Sequence, residues 1–420
     1  MKKFLMFMLM IACTIFSSFA EPVSITVLHT GDTVLGDTTL FTIAETMLKK
    51  DFPDVKITWA KVDLSDGSTL TMDAMLAAGT APNLYIDSMV RASKYIIPEY
   101  ALPLDKYIRD LSKYNPGVFD AYRKDGKLLA MPGPGSAQAM LVNLDMMTEI
   151  EYTVPKDWTV DDFLVMAEKV KKFYGGKKYA TGMFAANQSG DYLINAWFAS
   201  FGVSFYKPGA GYDKSVIADT GGAQVYSFFQ QLMKAGYIPA SSATLTDDDY
   251  AVLWQSGNLA ATAFFQDWTG PYFKSAITQK QIEKPFNYTF VPFPRTPGVK
   301  KVPTYYTNGA MVVYNSGTEK DIVTARLVEY MNGARIQGEL AKLVSVIPNR
   351  SDAIYGPSDP HTKEIMAIVA ANGLQDVGIT DPRFTERRAL QFPILQQVLN
   401  FKMTPEDAIK LYQKKLSAVK

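Results

Sequence analysis

Residues 256–268 of this 420-residue chain have the sequence SGNLAATAFFQDW. Its Gly-Asn pair is a turn signal, and the apolar or small residues 259–265 follow without alternation. Such a run is typical of a short strand buried on both faces, as in the parallel sheet of an α/β protein. The run then breaks, and Gly270-Pro271 is expected to stop the strand. Because ligands bind beyond the carboxyl ends of strands in open α/β sheets, Trp268 is the first candidate for a binding residue.

The chain before residue 90 alternates strand and helix patterns. Apolar residues recur at helical spacing between the strand-like runs, and Gly79 provides a stop for the second helix. The β-α-β-α-β order implies a parallel sheet with right-handed crossovers. The predicted elements are strands at 24–28, 55–62 and 84–86 and helices at 40–48 and 68–78.

The composition is that of an ordinary globular protein with two or three domains, with 47% hydrophobic and 20% charged residues. The formal net charge is +1, so we expect no nucleic-acid partner and no attraction to an anionic membrane. The two histidines, His29 and His361, are far apart in the sequence. Neither a Walker-type phosphate loop nor a G-x-G-x-x-G motif occurs. Asp247-Asp248-Asp249 is interpreted as a helix start rather than a carboxylate site. We therefore expect no metal, no cofactor and no catalytic residues.

Residues 1–20 have the pattern of a secretory signal peptide. Lys2-Lys3 precede the apolar stretch 4–16, which is shorter than the about 20 residues that a transmembrane helix needs. A small-x-small cleavage site follows at 18–20. The only cysteine, Cys13, loosely resembles the acylated residue of a bacterial lipobox. We predict export to the periplasm or cell surface, and favour a soluble protein over one that is lipid-anchored at Cys13.

Several stretches resemble one known family. Residues 256–268 are similar to the G-K-A-A-M…G-x-W stretch of extracellular solute-binding proteins of ABC importers (family 1), the group that includes maltose-binding protein. Residues 76–84, LAAGTAPNL, resemble that family's A-A-G-T-A-P-D-V. The chain departs from the pattern at Gln266-Asp267, where the family has a Gly-containing pair. Weaker likenesses follow in the family's order at 125–132, 141–145, 154–163 and 345–350.

The resemblance implies an α/β fold of the type II-like periplasmic-binding-protein kind. Two lobes, each a mainly parallel sheet flanked by helices, would be joined by hinge strands near 133–141, 290–297 and 344–350. Helices at 319–332 and 335–342 would belong to the first lobe. The predicted domains are the signal peptide 1–20, lobe one at 21–140 plus 296–346, and lobe two at 141–295 plus 347–420.

The same resemblance implies candidates for the ligand cleft. Trp268 matches the family's sugar-stacking tryptophan, and Tyr192 matches an aromatic that faces the sugar. Asp32 matches a polar cleft residue of maltose-binding relatives, although a turn-forming role is equally open. Trp197 is open between cleft and core, whereas Trp254 is assigned to the core. Further candidates, chosen from their positions, are Asp87, Arg91, Ser136, Asp267, Tyr306 and Asn308.

The function implied is the substrate-binding subunit of an ABC importer, not an enzyme. It would capture a sugar or oligosaccharide by hinge closure and, as a monomer, deliver it to the membrane permease. One alternative is a secreted carbohydrate-active hydrolase, which would need two carboxylates about 5–10 Å apart. Another is the same binding fold with a non-sugar solute.

Overall fold

The computed structural model describes residues 22–30, 38–62, 67–115, 117–187, 190–206, 215–354, 359–375, 377–378, 381 and 383–419, with the backbone alone at 38–40, 67–69 and 385. Within these ranges no helix is both long enough and apolar enough to span a bilayer. The signal peptide and Asp32 lie outside the described residues.

The strands carry the numbering used below. They are β1 (Ser24–Thr30), β2 (Lys56–Val62), β3 (Leu84–Ser88), β4 (Arg123–Lys124), β5 (Lys127–Leu128), β6 (Met131–Asn143), β7 (Ala261–Phe265), β8 (Tyr288–Val291) and β9 (Tyr306–Val313).

The α-helices are named in the same way. They are α1 (Thr38–Asp51), α2 (Gly67–Ala77), α3 (Met89–Ala92), α4 (Leu144–Glu149), α5 (Val160–Tyr174), α6 (Asp191–Ser200), α7 (Gly222–Ala235), α8 (Asp247–Gln255), α9 (Gln266–Thr278), α10 (Glu319–Met331), α11 (Ala334–Val344), α12 (Pro360–Asn372), α13 (Phe384–Ala389), α14 (Gln391–Leu399) and α15 (Pro405–Leu416).

The main sheet has the order β2-β1-β3-β9-β6-β7, and β8 also pairs with β6. β1 pairs in parallel with β2 and β3, as the β-α-β-α-β pattern predicts. β9 pairs antiparallel with β3 and β6, and β7 and β8 pair antiparallel with β6. The predicted α/β class is confirmed, with antiparallel pairing wherever β6 or β9 takes part.

The buried apolar side chains form two large cores, as a two-lobe protein requires. The first contains β1, β3 and the second half of β9 together with α1, α2, α10 and α11. The second contains β7, β8 and the second half of β6 together with α4 to α9, α12, α14 and α15. β6 belongs to both, because Met131 lies in the first core and Ala137 in the second.

The chain leaves the second core later than the sequence analysis places it. Phe293 and Val302 still pack in the second core, and Ala310 is the next residue in the first. The chain passes from the first core to the second for the last time between Val346 and Ile347. The lobe boundaries given above remain predictions. Since Val302 lies in the second core and Ala310 in the first, β9 is the better candidate for the second crossing strand.

Local signals placed several helix ends correctly. Gly79 has φ of +69°, a conformation that glycine adopts without steric cost. The hydroxyl of Thr159 accepts the backbone N–H of Asp162, whose carboxylate accepts the backbone N–H of Thr159, completing a capping box at α5. The hydroxyl of Thr404 caps α15 by accepting the backbone N–H of Asp407. The aspartates 247–249 form the first turn of α8, as expected.

One local prediction is wrong. Gly270-Pro271 does not stop a strand, because β7 ends at Phe265 and α9 begins at once, with Pro271 inside it. A proline six residues into a helix removes a single backbone hydrogen bond to the residue four before it. Trp268 therefore stands in the first turn of a helix that starts directly at the strand's carboxyl end.

Candidate functional site

β6 and β9 bring the first group of candidate residues side by side. In the register of this pair, Ser136 lies opposite Thr307 and Ala137 opposite Tyr306, and a bulge separates Pro132 from Gly135. Gly135 also exchanges two backbone hydrogen bonds with Ile347, each 2.8 Å long. Three chain segments, around 133–137, 306–308 and 345–349, thus run together where the two cores meet.

Tyr306 and Asn308 are both held within this junction. The Tyr306 hydroxyl donates to Asn349 Oδ1 at 3.2 Å. Asn308 Oδ1 accepts a hydrogen bond from the Tyr122 hydroxyl, which also lies 2.9 Å from the carbonyl oxygen of Gly309. Both candidate side chains are partly exposed, so each has surface left for a ligand.

Gly135 permits the close approach of the Tyr306 ring. A Cβ built on Gly135 would lie 1.7 Å from the Tyr306 hydroxyl oxygen and 2.1 Å from the nearest ring carbon, Cζ. We expect Gly135→Ala to lower the melting temperature, because overpacking at a closed site costs about 1–3 kcal/mol. Differential scanning calorimetry measures this effect. The matched control is Gly270→Ala, where nothing lies within 4 Å of the new methyl group; equal melting temperatures for the two variants would contradict the assignment.

Asp267 meets the junction from the second lobe. It is the second residue of α9, its side chain is 4% exposed, and its Oδ1 accepts a hydrogen bond from the Ser136 hydroxyl. Burial raises the pKa of the Asp267 carboxyl to about 7, opposed by the hydrogen bond from Ser136 and by backbone N–H groups of the helix start. A buried carboxylate of this kind accepts hydrogen bonds strongly once it is ionised.

Trp268 lies in an aromatic group that adjoins this carboxyl. Its ring meets the Tyr192 ring edge-on, with centroids 5.9 Å apart and an interplanar angle of 86°. The Phe265 ring is 4.6 Å from Trp268 and 5.7 Å from Tyr192. Trp268 and Tyr192 are partly buried and Phe265 is fully buried. The structure therefore joins Trp268, Tyr192, Asp267 and Ser136 in one place.

The aromatic group also meets the first lobe. Phe265, Tyr305 and Phe384 belong to a small third hydrophobic cluster, and Val90 of α3 packs against it together with Trp268. α3 follows β3 of the first core directly. Residues of both lobes thus pack against the cluster that Trp268 also contacts, as a cleft between lobes requires.

Tyr192 is positioned by a buried ion pair. It is the second residue of α6, and the first, Asp191, is 3% exposed. Arg388 donates to both oxygens of Asp191, from Nε at 2.5 Å and from a terminal nitrogen at 2.7 Å. A bidentate pair of this geometry fixes orientation as well as charge, so it fixes the start of α6 and with it the Tyr192 ring.

Asp87 and Arg91 form a salt bridge on the first-lobe side. The Asp87 carboxylate is fully buried and accepts hydrogen bonds from the Tyr85 hydroxyl at 2.6 Å, from Arg91 Nε at 2.8 Å and from the Ser88 backbone. The Arg91 side chain remains 27% exposed. Asp87 consequently orients Arg91, and Arg91 is the member of the pair with surface to offer.

Trp197, a cleft candidate that the sequence leaves open between cleft and core, lies in the core. Its indole is 2% exposed and packs against Phe163 at 4.9 Å and Phe228 at 5.1 Å inside the second core. Every residue of α6 except Tyr192 is buried, so this helix has no single apolar face from which to distinguish core from cleft. Trp254, assigned to the core, is 1% exposed.

Sequence reasoning missed three contributors to the site. The sequence pattern places Phe265 only in the strand, and it offers no signal that distinguishes Tyr305 from its neighbour Tyr306. Gln266 stands out in the sequence only as a departure from the family pattern, yet the residue is 3% exposed and its side-chain amide is hydrogen-bonded at both ends. A polar residue immediately after a buried strand was the one signal that could have singled it out.

A family model for bacterial extracellular solute-binding proteins matches residues 45–366 of the chain. No match is found among curated proteins. Solved structures with the same fold include the GacH receptor of Streptomyces glaucescens GLA.O, described unliganded and in complex with acarbose. Its sequence is 16% identical to this one, the TM-score is 0.76, and the match covers 95% of this chain and 100% of the GacH chain.

Two further structures have a similar likeness. Maltose-bound MalE3 of T. maritima is 18% identical, with a TM-score of 0.75, and the match covers 95% of this chain and 100% of MalE3. The other is a solute-binding protein of an ABC transporter from Thermotoga lettingae TMO, bound with α-D-tagatose. It is 15% identical with a TM-score of 0.77, and the match covers 94% of this chain and 99% of that protein. At such identities the structures establish the fold alone. The family match spans well over half of the sequence, and the chain therefore belongs to the bacterial extracellular solute-binding proteins.

Proposed function

We propose that this protein is the substrate-binding subunit of an ABC importer and that its cargo is a sugar or oligosaccharide. The observation that carries the proposal is the aromatic group around Trp268 next to the buried Asp267 carboxyl, with Val90 of the first lobe packed against the same cluster. Sugars present C–H faces that lie on aromatic rings and hydroxyl groups that hydrogen-bond to fixed acceptors. The saccharide ligands of the structural relatives support the same class of cargo.

The proposed mechanism is closure of two lobes about the junction of β6, β9 and residues 345–349. Trp268, Tyr192 and Asp267 would contact the solute from the second lobe, and Arg91 from the first. Ser136, Tyr306 and Asn308 would line the floor of the cleft between them. A solute that contacts both lobes stabilises the closed form, whereas contacts to one lobe alone shift nothing.

Delivery to the permease would follow closure. The exported location rests on the signal peptide predicted at residues 1–20, and we propose that the monomer acts in the periplasm or at the cell surface. The two bodies that would move are lobe one, proposed from the sequence at 21–140 plus 296–346, and lobe two. We place the second crossing at β9 instead of residue 296, because Val302 packs in the second core.

The test is a thermal-shift panel on the chain without residues 1–20. We expect a concentration-dependent rise in melting temperature with at least one mono-, di- or malto-oligosaccharide, since a ligand that binds the folded state alone stabilises it by mass action. The panel includes polyamines, iron complexes and phosphodiesters. A shift with one of these and with no saccharide would refute the sugar assignment. Turnover of a chromogenic glycoside would favour a hydrolase instead.

A further inference from the structure

Gln266 ties the helix that carries Trp268 to two different segments of the junction between the lobes. Its Oε1 accepts a hydrogen bond from the backbone N–H of Ala137 at 3.0 Å. Its Nε2 donates to the carbonyl oxygen of Ser345 at 3.3 Å. Both ends of one buried amide are therefore engaged, and Gln266 is the first residue of α9, two residues before Trp268.

The two partners belong to separate parts of the junction. Ala137 stands on β6 at the point where that strand leaves β9 and begins to pair with β7. Ser345 follows α11 with φ of +57°, and its hydroxyl donates to Asp359 at 2.8 Å. Two residues later, Ile347 exchanges two hydrogen bonds with Gly135. Gln266 thus bridges the first and third of the proposed crossing segments.

We propose that Gln266 is a positioning residue that couples the orientation of the Trp268 ring to the rotation of the hinge. The inference rests on the hinge closure proposed above. A lobe movement that separated Gln266 from Ala137 or Ser345 would leave one end of the buried Gln266 amide without a hydrogen-bond partner, which is unfavourable. The first turn of α9 and the two crossing segments therefore move as one unit, and Trp268 moves with them.

The neighbouring residue strengthens this tie. The Asp267 carboxylate receives the hydroxyl hydrogen bond of Ser136, which precedes Ala137 on β6. Consecutive residues of α9 thus hold consecutive residues of β6. Within α9 only Gln266 binds the Ser345 carbonyl, which also accepts a hydrogen bond from the Thr362 hydroxyl of α12 at 3.4 Å. A substitution at Gln266 therefore separates α9 from the third segment, while the bond between Asp267 and Ser136 can persist.

The experiment compares two glutamine variants in solute-free protein. Gln266→Leu removes both hydrogen bonds at nearly constant volume. The matched control is Gln230→Leu: Gln230 Nε2 donates to the carbonyl oxygens of Val398 at 3.1 Å and Met403 at 3.2 Å, entirely within the second lobe. Both variants are expected to melt at lower temperatures than the parent protein, because each loses buried or partly buried hydrogen bonds.

The readout is the distance distribution between one spin label on each lobe, measured by pulsed electron paramagnetic resonance. Labels at Leu70→Cys and Val165→Cys suit this purpose, because these side chains are 66% and 55% exposed. The only natural cysteine, Cys13, falls in the predicted signal peptide and is omitted. Melting temperatures are recorded for the same labelled proteins.

We expect Gln266→Leu to shift the mean distance or widen the distribution, and Gln230→Leu to leave both unchanged. A Gln266→Leu distribution that matches the parent, with a loss of melting temperature like that of the control, would show a merely structural role and overturn the inference. Since no solute is added, a failed sugar assignment leaves this result standing. The two proposals can therefore fail separately.

Discussion

Trp268→Ala is expected to weaken saccharide binding about 30-fold or more. Truncating an aromatic anchor at a binding site commonly costs at least about 2 kcal/mol, and each 1.4 kcal/mol is tenfold in affinity. The Tyr192 ring meets the Trp268 ring edge-on, and the Phe265 ring is tilted against it. Neither ring lies parallel to the indole, so neither replaces its flat face when Trp268 is truncated. Isothermal titration calorimetry with the saccharide that gives the largest thermal shift measures the loss.

Two controls accompany this variant. Trp268→Phe keeps a flat apolar face and should lose much less affinity than Trp268→Ala. Calorimetric melting of both variants verifies that the second core remains folded, since Trp268 packs on that core from its edge. If a folded Trp268→Ala protein bound the saccharide as tightly as the parent, stacking on this ring would be excluded as the basis of recognition.

Asp267→Asn is expected to raise stability at pH 8 and to have little effect near pH 4. The folded protein has a carboxyl pKa of about 7 here, against an ordinary value of 3.8. Between these values the folded state keeps a proton that the unfolded chain has lost, so parent stability falls as pH rises from about 4 to about 7. The difference corresponds to at most about 4 kcal/mol, and an amide at this position does not titrate.

The measurement is the melting temperature of the parent and Asp267→Asn proteins at pH 4, 6 and 8. Asp249→Asn serves as the control. Hydrogen bonds from the backbone and side chain of Thr246 lower the pKa of Asp249, whose carboxylate completes the capping box of α8. Its effect on stability should therefore be constant between pH 5 and 8. A gap between the parent and Asp267→Asn that does not widen with pH would show that the Asp267 carboxyl is not held in its neutral form.

The strand that leads to the site was predictable, because an uninterrupted apolar run at 259–265 has few other interpretations. The position of Trp268 just beyond the carboxyl end of this strand was predictable for the same reason. The start of α9 was not, since Gly270-Pro271 is a strong breaker in local terms and becomes tolerable only where the helix packs on the rest of the fold. Tertiary contacts here outweigh the local preference.

The role of Gln266 could not be found from the sequence, for a different physical reason. Its two partners lie 129 and 79 residues away along the chain, and both are backbone groups that any residue type would provide. Trp197 shows the converse limit. α6 is buried on nearly all sides, so helical spacing could not decide whether its tryptophan faced core or cleft.

The most direct test of the account is the distance between the two lobes with and without a bound saccharide. The labels at Leu70→Cys and Val165→Cys are used with the saccharide that stabilises the protein most. We predict a distance distribution that moves to shorter values, saturates at the same concentration as the thermal shift, and fails to move in Trp268→Ala at that concentration. A saccharide that binds and stabilises the protein while the distance stays unchanged would contradict capture by closure of the lobes.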